Sequence, residues 1–236
     1  MKRNRNRLLP LILILAALVL AISSWYLYND YQTAAQSDEQ MDIKPEDDAI
    51  DFDALWEINP DITAWLKIDG TQIDHPVAQG KDNAYYLTHT AERQVNRYGA
   101  LFMDYRCSRD FSDFNTVIYG HNMRSGNGKM FGCLQKFREK AFFDAHRTGM
   151  LYTPEGTFQL DISAVVAADA LSDFYSYIFE SPAKRQEHLD MIQARALLRR
   201  DAGITADDRI LTLSTCSYEY ANARTLVIAK INGTQT

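Results

Sequence analysis

Cysteine is scarce in this chain, with three in 236 residues. Cys107, Cys133 and Cys216 are too few to staple a small fold together with disulfides. Basic charge is also in deficit, because 25 Lys and Arg face 31 Asp and Glu, for a formal charge of -6. A nucleic-acid binder needs a basic face to displace counterions from phosphate, so nucleic acid is not an expected partner. Glycine (11) and proline (6) are too few for a collagen-like or low-complexity chain. No internal repeat occurs. The run Ser125-Gly-Asn-Gly-Lys129 lacks the spacing of a phosphate-binding loop. No acidic stretch has EF-hand spacing. Neither a metal nor a cofactor is expected.

One segment is rich where the rest is ordinary. Leu8–Tyr28 runs for 21 residues without a charge, behind Lys2, Arg3, Arg5 and Arg7. A helix of that length spans about 30 Å, the hydrocarbon thickness of a bilayer. Trp25, Tyr26 and Tyr28 stand where an interfacial aromatic belt belongs. The reading is an uncleaved transmembrane anchor over residues 8–28, behind a cytoplasmic basic tail of residues 1–7. The excess of basic residues before the span places everything after it outside the cell membrane. A cleaved signal peptide ending near Ala21 and Ser23 is the competing reading. Residues 29–53 carry nine acids against one base, Lys44, and read as an extended, solvated stalk. Ile50, Leu55, Trp56 and Ile58 return apolar groups and suggest an amphipathic helix leading into the domain.

Residues 54–236 hold 20 bases and 22 acids, a near-neutral balance, and are long enough for one sizeable core. Strand candidates are Ile62–Ile68, Ile73–Val77, Ala100–Met103, Thr116–Tyr119, Met150–Thr153, Phe158–Ala167, Ile210–Leu213 and Thr225–Ile231. Most are short, β-branched or aromatic, and bounded by turn residues. Pro154-Glu155-Gly156 reads as a hairpin turn. Many short strands with few helices imply a mainly β barrel or sandwich. The one long helix expected in the domain covers residues 183–200, with Ser181 as cap, Pro182 at the first turn and His188 on the solvated face. Shorter helices are expected at Ala84–Thr88 and Lys129–Asp144.

Three residues could carry chemistry. Cys216 ends a strand-like run, and an unpaired cysteine outside the membrane is unusual. His121 follows an apolar strand and a glycine, in Tyr119-Gly-His-Asn122. Such a place suits a general acid or base. Arg224 opens the last apolar strand, eight residues after Cys216, and a guanidinium there could stabilise an oxyanion. The bland alternatives are a buried thiol, an idle imidazole and a surface ion pair. His75, His89, His146 and His188 lie in contexts that suggest no chemistry.

Around these residues the sequence resembles the sortases, of class B. Thr212-Leu213-Ser214-Thr215-Cys216 matches the family's TLxTC signature. The Gly-His pair after a strand, the Arg at the start of the next strand and the long helix between late strands also match. So do Gln79–Leu87 and Gly99–Tyr105. The resemblance covers roughly residues 50–236. It implies a closed eight-stranded β-barrel with peripheral helices. It also implies a cysteine transpeptidase that uses Cys216, His121 and Arg224 to cleave a C-terminal sorting signal after Thr and pass the protein to an amine. Asn83, Leu87, Tyr175, Ser214 and Thr215 are the implied substrate-binding residues, with Tyr177 an alternative to Tyr175. The implied partners are signal-bearing surface proteins and an amine of the cell wall or of a pilin. Signals of NPQTN and LPxTG type both stay open. A Cys107–Cys133 disulfide is possible, and two inert, partly buried thiols are the alternative. Beside the transpeptidase stand two other readings: a cysteine protease, in which water resolves the acyl-enzyme, and a non-catalytic stalked ectodomain.

Overall fold

The computed structural model describes residues 5–36, 50–123 and 129–235. The basic residues Lys2 and Arg3, the acidic stretch 37–49 and most of the Ser125–Lys129 run lie outside the described residues. The chain divides into two units, one holding the N-terminal helix and one holding everything from residue 50.

Helix α1 (Arg5–Gln36) is uninterrupted by Pro10. Within it Pro10–Asn29 is long and apolar enough to cross a membrane, and all of its side chains are exposed. An uncovered apolar helix of this length needs an apolar solvent, which suits a single-pass anchor. The helix continues beyond Tyr28 to Gln36, where an extended stalk was expected. Residues 31–36 carry no charge and include two alanines, so helix propensity is not opposed there.

The second unit begins with α2 (Phe52–Ile58), capped by the Asp51 side chain, which accepts from the Ala54 N–H at 3.0 Å. Its buried Leu55 joins a core cluster with Ile62, Trp65 and Tyr86. The strands follow as β1 (Ile62–Ile68), β2 (Asp74–Ala78), β3 (Leu101–Met103), β4 (Asn115–Tyr119), β5 (Thr148–Thr153), β6 (Gly156–Asp169), β7 (Ala196–Arg199), β8 (Arg209–Cys216) and β9 (Ala223–Gln235). Eight of them close a barrel in the order β5-β1-β2-β3-β4-β8-β9-β6, with β6 pairing back onto β5. The β2–β3 and β4–β8 pairs are parallel and the others antiparallel. Closure leaves no free sheet edge around the ring. The expected hairpin at Pro154–Gly156 joins β5 to β6, with Thr153 opposite Gly156.

Strand β7 stands where the end of the long helix was expected. Helix α4 (Pro182–Arg195) has the expected Ser181 cap but stops five residues short of Arg200. Ala196 turns extended, and Leu198 and Arg199 pair with Val165 and Ala164 of β6. On that side β6 is covered by β5 only as far as Asp161. Beyond Ile162, whose N–H donates to the Arg147 carbonyl, its backbone groups on that side would lack partners without β7, and this outweighs helix propensity. The helix expected over Lys129–Asp144 is instead a 3-10 helix at Gly132–Arg138 and α3 (Lys140–Ala145), broken at extended Glu139. Residues Tyr85–Leu87 and Asp173–Tyr175 form further 3-10 turns.

His188 does not lie on a solvated face. It is buried with Leu189 and Ile192 on the barrel side of α4, among the rings of Phe114, Phe174 and Phe179. Its Nε2 has no hydrogen-bond partner. Burial pushes the imidazole down to about 4, only partly opposed by the charge of Asp173. The unfolded chain therefore takes up a proton that the folded chain refuses. Stability is full above the unfolded value near 6.5 and falls as pH drops towards 4, by about 3 kcal/mol in all. His188→Phe should remove this part of the acid sensitivity. Urea unfolding of both proteins at about pH 7 and about pH 4.5 checks it, and an equal loss in both contradicts it.

Candidate active site

Strand β8 lies between β4 and β9, and the site is built where all three end or begin. Cys216 is the last residue of β8 and pairs with Arg224 of β9. Directly opposed residues of an antiparallel ladder put their side chains on one face, with Cβ atoms about 5 Å apart. On the other side Tyr119 of β4 stands beside Ser214. Two bonds carry this register onward. The Gly120 N–H donates to the Ser214 carbonyl at 3.1 Å, and the Thr215 hydroxyl donates to the Gly120 carbonyl at 2.7 Å. His121 is delivered beside the end of β8 in this way.

Gly120 is there because nothing larger fits. A Cβ would come within 2.5 Å of Leu101 Cδ2 and 2.7 Å of Phe131 Cγ. Gly120→Ala should cost about 1–3 kcal/mol of stability. It should also lower turnover about tenfold or more by displacing His121. Thermal melts with turnover measurements check both, and an active, unshifted variant contradicts the argument.

His121, Cys216 and Arg224 share one groove of about 240 Å³ with Asn83, Leu87, Tyr175, Ser214 and Thr215. Every site residue singled out from the sequence is therefore brought to one place. Phe102, Tyr119, Gly120 and Ala170 complete the lining. These apolar and small residues carried no chemical signal of their own. Tyr177, the alternative to Tyr175, does not line the groove and lies under the Arg106 guanidinium, 4.5 Å from its ring centroid.

The imidazole of His121 is held by main chain. Its Nε2 is 2.7 Å from the Leu87 carbonyl oxygen. A carbonyl only accepts, so Nε2 is the donor in this contact. Tyr175 is buried, and its hydroxyl lies 2.8 Å from the Ser214 hydroxyl. Burial pushes its phenol up to about 12, against the Ser214 bond and the Arg224 charge. It stays a neutral wall of the groove. Tyr119 stacks against Tyr175 and donates to Asp104 at 2.8 Å. Asp104 is deeply buried and grips the Arg106 fork at 2.9 and 2.8 Å. Burial alone would raise its carboxyl, but the Arg106 side chain and N–H and the Tyr119 hydroxyl together hold it below the usual range. This network backs Tyr119 and Tyr175, which line the groove. Asn83 spends its carbonyl oxygen on the Tyr105 N–H at 3.0 Å, which leaves its amide donors for other partners.

Cys107 and Cys133 are free and buried, so neither the possible disulfide nor a partly exposed thiol is found. Burial pushes their thiols up, to about 12 and about 11. Both stay protonated and unreactive. Of the three cysteines Cys216 alone is partly exposed.

A family model, the Sortase domain, matches residues 66–232. Sortase B of Staphylococcus aureus is 32% identical over 197 residues, which are 83% of this chain and 78% of that protein. The crystal structure of Clostridium perfringens sortase B is 35% identical, with a TM-score of 0.73 over 78% of this chain and all of that one. The Staphylococcus aureus sortase B–substrate complex, 30% identical, has a TM-score of 0.73 over 89% of this chain and 94% of that one. The family model takes in every residue of the groove and all of the barrel but the start of β1 and the end of β9, and on these grounds this chain belongs to the sortase family of cysteine transpeptidases, in its class B.

Proposed function

We propose that Cys216 is the nucleophile, His121 the general acid and base, and Arg224 the oxyanion partner of a membrane-anchored class B sortase acting on C-terminal sorting signals. The observation that carries this is the pairing of Cys216 with Arg224 across β8 and β9, with His121 on the same groove. The Cys216 thiolate attacks the carbonyl of the signal's Thr, and the Arg224 guanidinium meets the oxyanion. Nδ1 of His121, having taken the proton of the Cys216 thiol as the thiolate formed, passes it to the leaving amine, the C–N bond breaks and a thioester remains. An incoming amine gives its proton to His121 and attacks the thioester. The C–S bond breaks, the thiolate returns and a new amide is formed. Asn83, Leu87, Tyr175, Ser214 and Thr215 would hold the peptide. The family acts on sorting signals, and the acceptor is an amine of the cell wall or of another subunit. Helix α1 anchors the chain, with the basic tail in the cytoplasm, residues 29–53 as spacer and the barrel outside.

The test is intact-mass spectrometry of the detergent-solubilised full chain with NPQTN- and LPxTG-type peptides, first without an amine. An adduct equal to the peptide cut after Thr, absent in Cys216→Ala, supports the thioester and names the signal. Added amine should then be incorporated into the product. Release by water alone, with amine ignored, would favour a protease. An adduct on another residue would overturn the assignment.

A further inference from the structure

Strand β4 ends too early to complete its ladder with β8. The Gly120 N–H reaches the Ser214 carbonyl, and the next carbonyl in the parallel register is that of Cys216. The main chain of β4 has turned away by then, since the His121 carbonyl accepts from the Phe131 N–H at 3.0 Å. Two side-chain amides take its place. Asn122 Nδ2 donates to the Cys216 carbonyl at 2.8 Å and Gln135 Nε2 donates to it at 3.0 Å. A carbonyl oxygen has two lone pairs, so this one is fully engaged.

Both amides are tied to the neighbours of the other two catalytic residues. Asn122 follows His121. The Oε1 of Gln135 accepts from the hydroxyl of Thr225 at 3.0 Å, and Thr225 follows Arg224 and is fully buried. The opposite edge of the same peptide unit is held too, because the Ser217 N–H donates to the Ala223 carbonyl at 3.0 Å. The peptide plane after Cys216 cannot swing, which fixes the direction of its Cα–Cβ bond. We infer that Asn122 and Gln135 are positioning residues that clamp the Cys216 carbonyl and so hold the thiol in line with His121 and Arg224.

This rests on the catalytic assignment proposed above. A strand-terminal nucleophile misplaced by about 1 Å can lose on the order of 10²-fold in rate. Two donors to one oxygen back each other up, so their losses should not simply multiply. Asn122→Ala and Gln135→Ala should each lower kcat about threefold to tenfold. The double variant should lose about 10²-fold or more, beyond the product of the singles, with KM within about twofold. Neither amide titrates, so the limbs of the pH–rate profile should stay in place.

The experiment measures kcat, KM and melting of the full chain with whichever of the NPQTN- and LPxTG-type peptides it cleaves, with Cys216→Ala alongside. A folded double variant with kcat within about twofold of the parent overturns the clamp, and so does a loss confined to KM. An active Cys216→Ala instead overturns the catalytic assignment, and the clamp with it. If the double variant does not fold, Asn122→Ala with Thr225→Val keeps Gln135 in place but untethered. The same outcomes then decide.

Discussion

Cys216→Ala is expected to lose activity by on the order of 10⁴-fold or more, while Cys107→Ala and Cys133→Ala keep most of it. A covalent route depends wholly on its nucleophile, and the residual rate comes only from binding and oxyanion contacts. The three cysteines differ in environment, and the environment makes the comparison fair. Cys107 and Cys133 are buried, with thiols pushed up to about 12 and about 11. Neither can supply a thiolate near neutral pH. Cys216 lies on the groove opposite Arg224. The check is turnover of the identified signal peptide by the three variants. Substantial activity in Cys216→Ala, or a large loss in a well-folded Cys107→Ala, contradicts the assignment.

Arg224→Ala is expected to lower kcat about 10²–10³-fold, with a smaller change in KM. Arg224→Lys should recover only part of that loss. An ammonium restores the charge but not the planar fork, which can bond the main chain and an oxyanion at once. The geometry calls for both. One guanidinium nitrogen, Nη1, already donates to the Ala223 carbonyl at 2.9 Å, which aims the group and leaves other N–H donors for the substrate. Steady-state kinetics of the two variants check it. Full activity in Arg224→Lys would show that charge alone suffices, and a loss confined to KM would make Arg224 a binding residue.

Strands and catalytic candidates were legible for the same reason, namely that both are local. Short β-branched and aromatic runs bounded by turn residues marked all eight barrel strands to within a few residues, although β1, β3, β4 and β8 are buried along nearly their whole length. His121 and Cys216 were conspicuous through their neighbours, Gly120 and Thr215, which make the bonds that hold the two strand ends together. Two of the departures from the expected structure have a tertiary cause. The end of α4 follows helical spacing through Leu197, but the uncovered flank of β6 draws Ala196–Arg199 into a strand. His188 looked solvated because α4 was read as an isolated amphipathic helix. The ring cluster that buries it comes from residues distant in sequence, Phe114 among them.

Gln135 carried no signal at all. It lies in a run expected to be plain helix, 81 residues before the Cys216 carbonyl that it meets. By itself the sequence determined the long apolar N-terminal helix, the eight barrel strands and the three reactive residue types, since length, local composition and side-chain chemistry depend on near neighbours. The tertiary structure alone decided which strands close the barrel, which nitrogen of His121 meets the Leu87 carbonyl and what holds the Cys216 peptide. Each of these depends on hydrogen bonds between segments far apart in the chain, and a donor's partner is known only when the fold has brought it within about 3 Å.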